Sequence, residues 1–285
     1  MDKTLQKTKE NIKRLKGKKP AYKELLDFYS RIIEQLSNIN PSIEVKPLPV
    51  KEELRKIQVA EGFPLLNKED FILDLPSSSG LFAAICIIAK DATTKMKKNI
   101  QKIDTAVKAG KLNREKLLEK HSDPAYLDKI AKKFKLDRNI LNFLIHMSIK
   151  PSLIVNVDKM KEQVDLKNWL RGYCPVCGSL PLISELKGEG QRYFLCSFCG
   201  FNWPGERLKC PYCENTDHEK LHFLYAEGQE AYRVDLCDKC KQYIKTVDSR
   251  KLDYEPDLNL EDIVTIHLDI IASGKGYKKP VPLPW

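Results

Sequence analysis

Four short stretches, Tyr173-Cys-Pro-Val-Cys-Gly178, Cys196-Ser-Phe-Cys-Gly200, Cys210-Pro-Tyr-Cys213 and Cys237-Asp-Lys-Cys240, decide how the C-terminal part of this chain folds. Two thiolates separated by two residues can grip one metal ion from a single tight turn, whose backbone N–H groups point at the sulfurs. Glycine just after the second cysteine supplies the positive φ that such a turn needs. Gly178 and Gly200 stand there in the first two stretches, whereas Glu214 and Lys241 stand there in the other two. Four thiolates close a tetrahedral site, typical of structural zinc and also able to hold iron.

The spacing predicts which pairs share an ion. Eighteen residues separate Cys177 from Cys196 and 23 separate Cys213 from Cys237, while ten separate Cys199 from Cys210. Within the two longer gaps, Ser179 to Leu186 and Gln191 to Leu195 flank Lys187-Gly188-Glu189-Gly190, and Leu221 to Ala226 and Ala231 to Leu236 flank Glu227-Gly228-Gln229-Glu230. Both read as hairpins, and the ten-residue gap reads as a linker. One ion is therefore expected on Cys174, Cys177, Cys196 and Cys199, and a second on Cys210, Cys213, Cys237 and Cys240. Disulfides are the competing reading, disfavoured in a reducing compartment. A thioredoxin-like motif needs one such pair beside a βαβ unit. His218 and His222 read as ordinary hairpin residues, and Cys86 as a buried core thiol.

Outward from this region the texture changes. The chain has 285 residues, of which 31% are charged and 42% hydrophobic, enough for one large or two modest cores. Residues 1–168 hold 34 Lys/Arg against 22 Asp/Glu, and residues 169–285 hold 15 against 17. The first part reads as helical. Tyr22, Leu25, Leu26, Tyr29, Ile32, Ile33 and Leu36 follow the three-and-four spacing of one buried face, between Pro20 and Pro41. Asp123-Pro124 and Asp137 read as helix starts, with Pro151 interrupting the second of these helices. The prolines of residues 41–76 suggest short helices with extended joints, and Asp262 to Ile271 suggests one short helix before a Pro-rich end.

The expected fold class is thus α+β, with boundaries at 1–168 (helical and basic), 169–206 and 207–250 (two tandem rubredoxin-like or zinc-ribbon modules) and 251–285 (helix and extended tail). The helical part contributes no ligand and is expected to keep its fold when metal is lost. The longest apolar run, Leu81 to Ala89, is too short to cross a bilayer, and the Lys-rich start lacks the apolar core of a secretory signal. No membrane insertion and a cytoplasmic location are therefore expected.

Tyr173 to Pro181, Arg192 to Trp203, Arg207 to Cys213, Val234 to Asp248 and His267 to Ile271 resemble the formate dehydrogenase accessory protein FdhE family. The resemblance is specific over residues 169–279 and general before them. It implies a non-enzymatic cytoplasmic assembly factor that acts on the catalytic subunit of a respiratory formate dehydrogenase and carries iron or zinc. Residue chemistry alone keeps two other readings open. One is a nucleic-acid-binding zinc ribbon, supported by the basic excess but opposed by its location away from the cysteines. The other is a rubredoxin-like electron carrier, which requires iron. No phosphate loop supports an enzyme, since Gly274-Lys275-Gly276 lacks the spacing. The sequence leaves the oligomeric state open.

Overall fold

A computed structural model describes residues 2–39, 41–44, 52–164, 166 and 169–281. Its helices begin with α1 (Asp2–Lys18), α2 (Lys23–Ser37), α3 (Glu52–Glu61) and α4 (Leu75–Ala89). They continue with α5 (Thr94–Lys108), α6 (Arg114–Glu119), α7 (Pro124–Phe134) and α8 (Arg138–Met160). The expected starts are made by side chains: Asp123 accepts from the Tyr126 amide, and Asp137 accepts from those of Asn139 and Ile140. Each carboxylate satisfies an amide that the first turn leaves without a partner. The apolar run Leu81–Ala89 lies inside α4, with Cys86 buried in the core.

Pro151 does not interrupt α8, which runs through it to Met160. Proline in a helix interior forfeits a backbone hydrogen bond and costs about 3 kcal/mol. Burial of Ser148, Ile149, Ser152, Leu153 and Asn156 on either side of Pro151 keeps the helix together. Asn156 also donates to the carbonyls of Ile72 and Ser152 and accepts from the Ile72 amide, tying α8 to the segment before α4. The stretch Arg138–Gln163 is long and apolar enough to cross a membrane, but 72% of its apolar window is buried inside the fold, as suits a core helix.

The strands are β1 (Pro181–Lys187), β2 (Gln191–Cys196), β3 (Asn202–Gly205), β4 (Leu221–Tyr225), β5 (Tyr232–Cys237) and β6 (Gln242–Asp248). The ten-residue gap read as a linker contains β3, which pairs with β2 from Arg192↔Gly205 to Leu195↔Asn202. All six strands form one sheet in the order β3-β2-β1-β6-β5-β4. β6 lies between the two hairpins, antiparallel to β5 and parallel to β1 from Ser184↔Thr246 through Leu186↔Asp248. At that junction Ser184 and Thr246 hydroxyls meet at 2.6 Å, and Thr246 donates to Asp235, which also takes a bond from Arg192.

The single C-terminal helix expected over Asp262 to Ile271 is two, α9 (Leu258–Ile263) and α10 (Ile266–Gly274). The break falls at Val264-Thr265, where the Thr265 hydroxyl donates to the Glu261 carbonyl. These helices cover one face of the sheet, packing Leu258, Leu268 and Ala272 against Ile183, Val234 and Val247. Lys245 is buried between them, within 2.8 Å of Asp262 and 2.6 Å of Asp269, and Lys279 reaches Asp262 at 2.6 Å. The Pro-rich end beyond residue 281 lies outside the described residues.

The helical part is not independent of the cysteine-bearing part. One hydrophobic cluster runs from Ile12 and Leu15 through α4 and α8 to Trp169, the first four cysteines, Trp203 and Val264. The Lys-rich first helix is turned to internal use: Lys7 pairs with Glu255, Arg14 and Lys18 pair with Asp253, and Lys16 pairs with Asp27.

Candidate metal centres

The knuckles share one construction. The amide of the first cysteine donates to the carbonyl five residues on: Cys174 to Ser179, Cys196 to Phe201 and Cys210 to Asn215. The amide four residues on donates back to the first cysteine's carbonyl, from Gly178, Glu214 and Lys241. Such a turn requires a positive φ at its fourth step. Gly178 and Gly200 take φ of 69° and 75°, and Glu214 and Lys241 are held at 57° and 55° despite their side chains. The second knuckle also directs its amides inward, since Phe198 N and Cys199 N lie 3.4 Å from Cys196 Sγ.

These turns bring the eight cysteines into two groups of four, and in each group every sulfur lies within 4.8 Å of the others. In the first group, Cys174 lies 3.6 Å from Cys199, and Cys177 lies 3.4 Å from Cys196 and 3.6 Å from Cys199. In the second, Cys210 lies 3.8 Å from Cys240 and Cys213 lies 3.6 Å from Cys237. A tetrahedron with metal–sulfur bonds of about 2.3 Å has sulfur–sulfur edges of about 3.8 Å. Disulfides would need about 2.05 Å, and all nine cysteines are free. The donor sets fit one tetrahedral ion each, of the zinc or iron kind. His218 and His222 belong to neither group; His222 pairs instead with Asp238 at 2.8 Å.

Burial sets the condition under which all four thiols of a group could ionise together. Within the first group, hydrogen bonds from Cys174 and its neighbours pull the Cys177 thiol far down, while burial pushes Cys174 well above its ordinary range. Buried sulfurs at these distances cannot all ionise unless a cation neutralises them. In the second group, burial raises Cys240 to about 11. The two centres differ in access: all four sulfurs of the first belong to buried residues, whereas Cys213 and Cys240 of the second are part-exposed.

The helical part grips the first centre through contacts that local sequence does not reveal. Leu65 and Leu66 amides donate to the Pro175 and Val176 carbonyls, each at 2.9 Å, and the Tyr173 hydroxyl donates to the Gly62 carbonyl at 2.6 Å. Phe198, between Cys196 and Cys199 in sequence, stacks with His121 and with His146 at 5.8 and 5.7 Å. His146 Nε2 also reaches the Phe198 carbonyl at 2.7 Å. Burial drives His146 down to about 4, so it is neutral at pH 7. The two centres approach each other at Gly172, where a Cβ would sit 1.9 Å from the Pro211 carbonyl oxygen. Only glycine allows the chain to enter the first knuckle that close to the third.

Comparison with known proteins adds an identity to this geometry. The FdhE central-domain model matches residues 173–207, and the FdhE C-terminal-domain model matches residues 208–284. Over residues 173–284 the chain carries the FdhE family's central and C-terminal domains. A relative described as an FdhE homolog, from Aquifex aeolicus, is 27% identical over 93% of this chain and 89% of its own. FdhE of Escherichia coli is 33% identical over 38% of this chain and 36% of its own. The crystal structure of FdhE from Pseudomonas aeruginosa superimposes with a TM-score of 0.63. That match covers 98% of this chain and 93% of the other, and at 19% identity the likeness is one of fold.

Proposed function

We propose that this chain is a non-catalytic accessory protein for the maturation of a formate dehydrogenase, acting in the cytoplasm by binding the catalytic subunit. One observation carries the reading: the stretch matched by the two FdhE models contains two complete four-sulfur sets at tetrahedral spacing. Cys174, Cys177, Cys196 and Cys199 hold one ion, and Cys210, Cys213, Cys237 and Cys240 hold the other, iron or zinc. Both sets are closed, with no open position for a reacting water. The test is capture by the tagged full chain from anaerobic cells that make formate dehydrogenase, with the bound chains identified and the metal counted. The catalytic subunit and two metal equivalents are expected. Absence of every formate dehydrogenase subunit would overturn the client, and fewer than two equivalents would overturn the pairing.

A redox role is a second reading favoured by one feature, the part exposure of Cys213 and Cys240, which gives an iron at the second centre a short path to a surface partner. An absorption band that bleaches on reduction supports it, and a full complement of colourless zinc removes it. The ion pairs of the first helix engage Lys7, Arg14, Lys16 and Lys18, a part of the basic excess on which the nucleic-acid reading rests.

A further inference from the structure

The sheet ends in two edges of opposite character. β3 is four residues long, carries Pro204 and Gly205, and buries Trp203. A proline that cannot donate and a very short strand are common ways of closing an edge. β4 is one residue longer and has no proline to block it. Leu221-His-Phe-Leu-Tyr225 contains no lysine, proline or glycine, and its register with β5 is unbroken from Leu221↔Cys237 to Tyr225↔Arg233. Its far side is the end of the sheet, so alternate backbone N–H and C=O groups face outward. On one face Phe223 and Tyr225 are 57% and 43% exposed, with ring centroids 5.4 Å apart. Leu208, 74% exposed, shares a groove of about 190 Å³ with Phe223.

The surroundings of that aromatic pair are cationic. Arg233 lies over the Phe223 ring at 5.4 Å and Lys251 over the Tyr225 ring at 5.8 Å. Arg233 also pairs with Asp235, the cross-strand neighbour of Phe223, but Asp235 is shared with Arg192, which leaves an excess of positive charge. Arg207 lines the groove beside Phe223. Lys251 donates to the Glu230 carbonyl, and its charge acts on Asp248, which is already paired with Arg250. A strand laid beside β4 would gain backbone hydrogen bonds along its length, apolar contact at alternate residues, and carboxylate pairing at its ends. We propose that β4 receives an extended segment of a partner protein as one more antiparallel or parallel strand. That segment carries apolar β-branched residues opposite Phe223 and Tyr225, and acidic residues flanking them on the same face. The inference rests on reading the chain as a client-binding accessory protein, and it names where and by what chemistry the client is held.

The probe is a fluorescein-labelled peptide, Glu-Thr-Val-Thr-Val-Thr-Glu, whose odd positions share one face of a strand. It is titrated into the metal-loaded full chain by fluorescence anisotropy, beside a counterpart with lysine for glutamate and one N-methylated at alternate backbone positions. The acidic peptide is expected to bind at least tenfold more tightly than either. Phe223→Lys and Lys251→Glu, both at exposed side chains, are each expected to weaken it at least tenfold while metal content and far-ultraviolet circular dichroism stay unchanged. Equal binding of the N-methylated peptide would overturn strand addition, and unchanged binding by Phe223→Lys would overturn the location. A wild-type dimer dispersed by Phe223→Lys would assign the edge to a second copy, and competition by a single-stranded RNA would assign it to nucleic acid; either overturns the proposal. Capture of formate dehydrogenase equally by wild type and Phe223→Lys would sink the edge and spare the function. Peptide binding at β4 by a chain that captures no formate dehydrogenase would do the reverse.

Discussion

The residue four places after the first cysteine of each knuckle offers a controlled test of how backbone strain sets metal affinity. A non-glycine residue in the left-handed region costs about 1–2 kcal/mol, offset by about 0.5–1 kcal/mol because glycine loses more freedom on folding. The net penalty is therefore about 0.5–1 kcal/mol, a factor of about two to five in an equilibrium constant. Gly200 has open space where a Cβ would go, so Gly200→Ala should weaken the first centre by that factor from conformation alone. Gly178→Ala should cost more, because its Cβ would also press on Pro64 Cγ at 3.3 Å. Glu214→Gly removes the penalty already present at φ 57° and gives up only a 3.9 Å pairing with Lys209, an exposed contact of little worth. It should tighten the second centre two- to fivefold. Lys241→Gly should leave affinity almost unchanged, since it also gives up the Asp238 pair at 2.6 Å and the contact with the Tyr277 ring. Competition of the zinc-loaded protein with a chromogenic chelator, followed over two equivalents, measures all four. Weaker binding in Glu214→Gly, or no change in Gly200→Ala, would refute the argument that the turn's φ is what these positions control.

Cys174→Ser with Cys177→Ser should release one metal equivalent and, because the first centre lies in the same hydrophobic cluster as α4 and α8, lower the melting temperature of the helical signal too; an unshifted helical transition would show the two parts to be separable. Lys245→Met leaves the two buried carboxylates Asp262 and Asp269 to share Lys279 alone and should cost about 3–5 kcal/mol in chemical denaturation. The double variant Lys245→Met/Asp269→Leu should recover part of that loss. His146 titrates near 4 when folded against about 6.5 unfolded. Its neutral form therefore contributes stability in full above about pH 6.5, and that contribution is lost as pH falls toward 4. His146→Gln should show a shallower fall of melting temperature across this window than wild type, and identical slopes would exclude His146 as a source.

Much of this was legible because it is local. Asp123 and Asp137 cap the helices their positions announce, and the lengths of the two longer gaps match the hairpins between the grouped cysteines. The misreadings have a common cause, which is that distant partners decide the outcome. Pro151 sits inside a continuous helix whose residues on both sides are buried. β3 hides in a ten-residue gap because Asn202-Trp-Pro-Gly205 has no alternating pattern, and it becomes a strand only by pairing with β2. The histidines around Phe198 gave no signal at all, since His121 and His146 meet it across 77 and 52 residues. The missing glycines at Glu214 and Lys241 put the second site's turn geometry in question, yet the turn is kept there with positive φ of 57° and 55°.

The parallel pairing of β1 with β6 also sets an order in time. Ser184 and its partner Thr246 are 62 residues apart, so during synthesis β1 leaves the ribosome long before the strand that completes its neighbourhood. The first four cysteines and their hairpin are all made by residue 199, and can take up an ion while the inner edge of β1 is still open. Only when Cys240 and β6 have followed can the second ion bind and that edge be sealed. Until β6 follows, the nascent chain carries β1 as a central strand with one side unpaired, the side that the finished sheet buries in its middle.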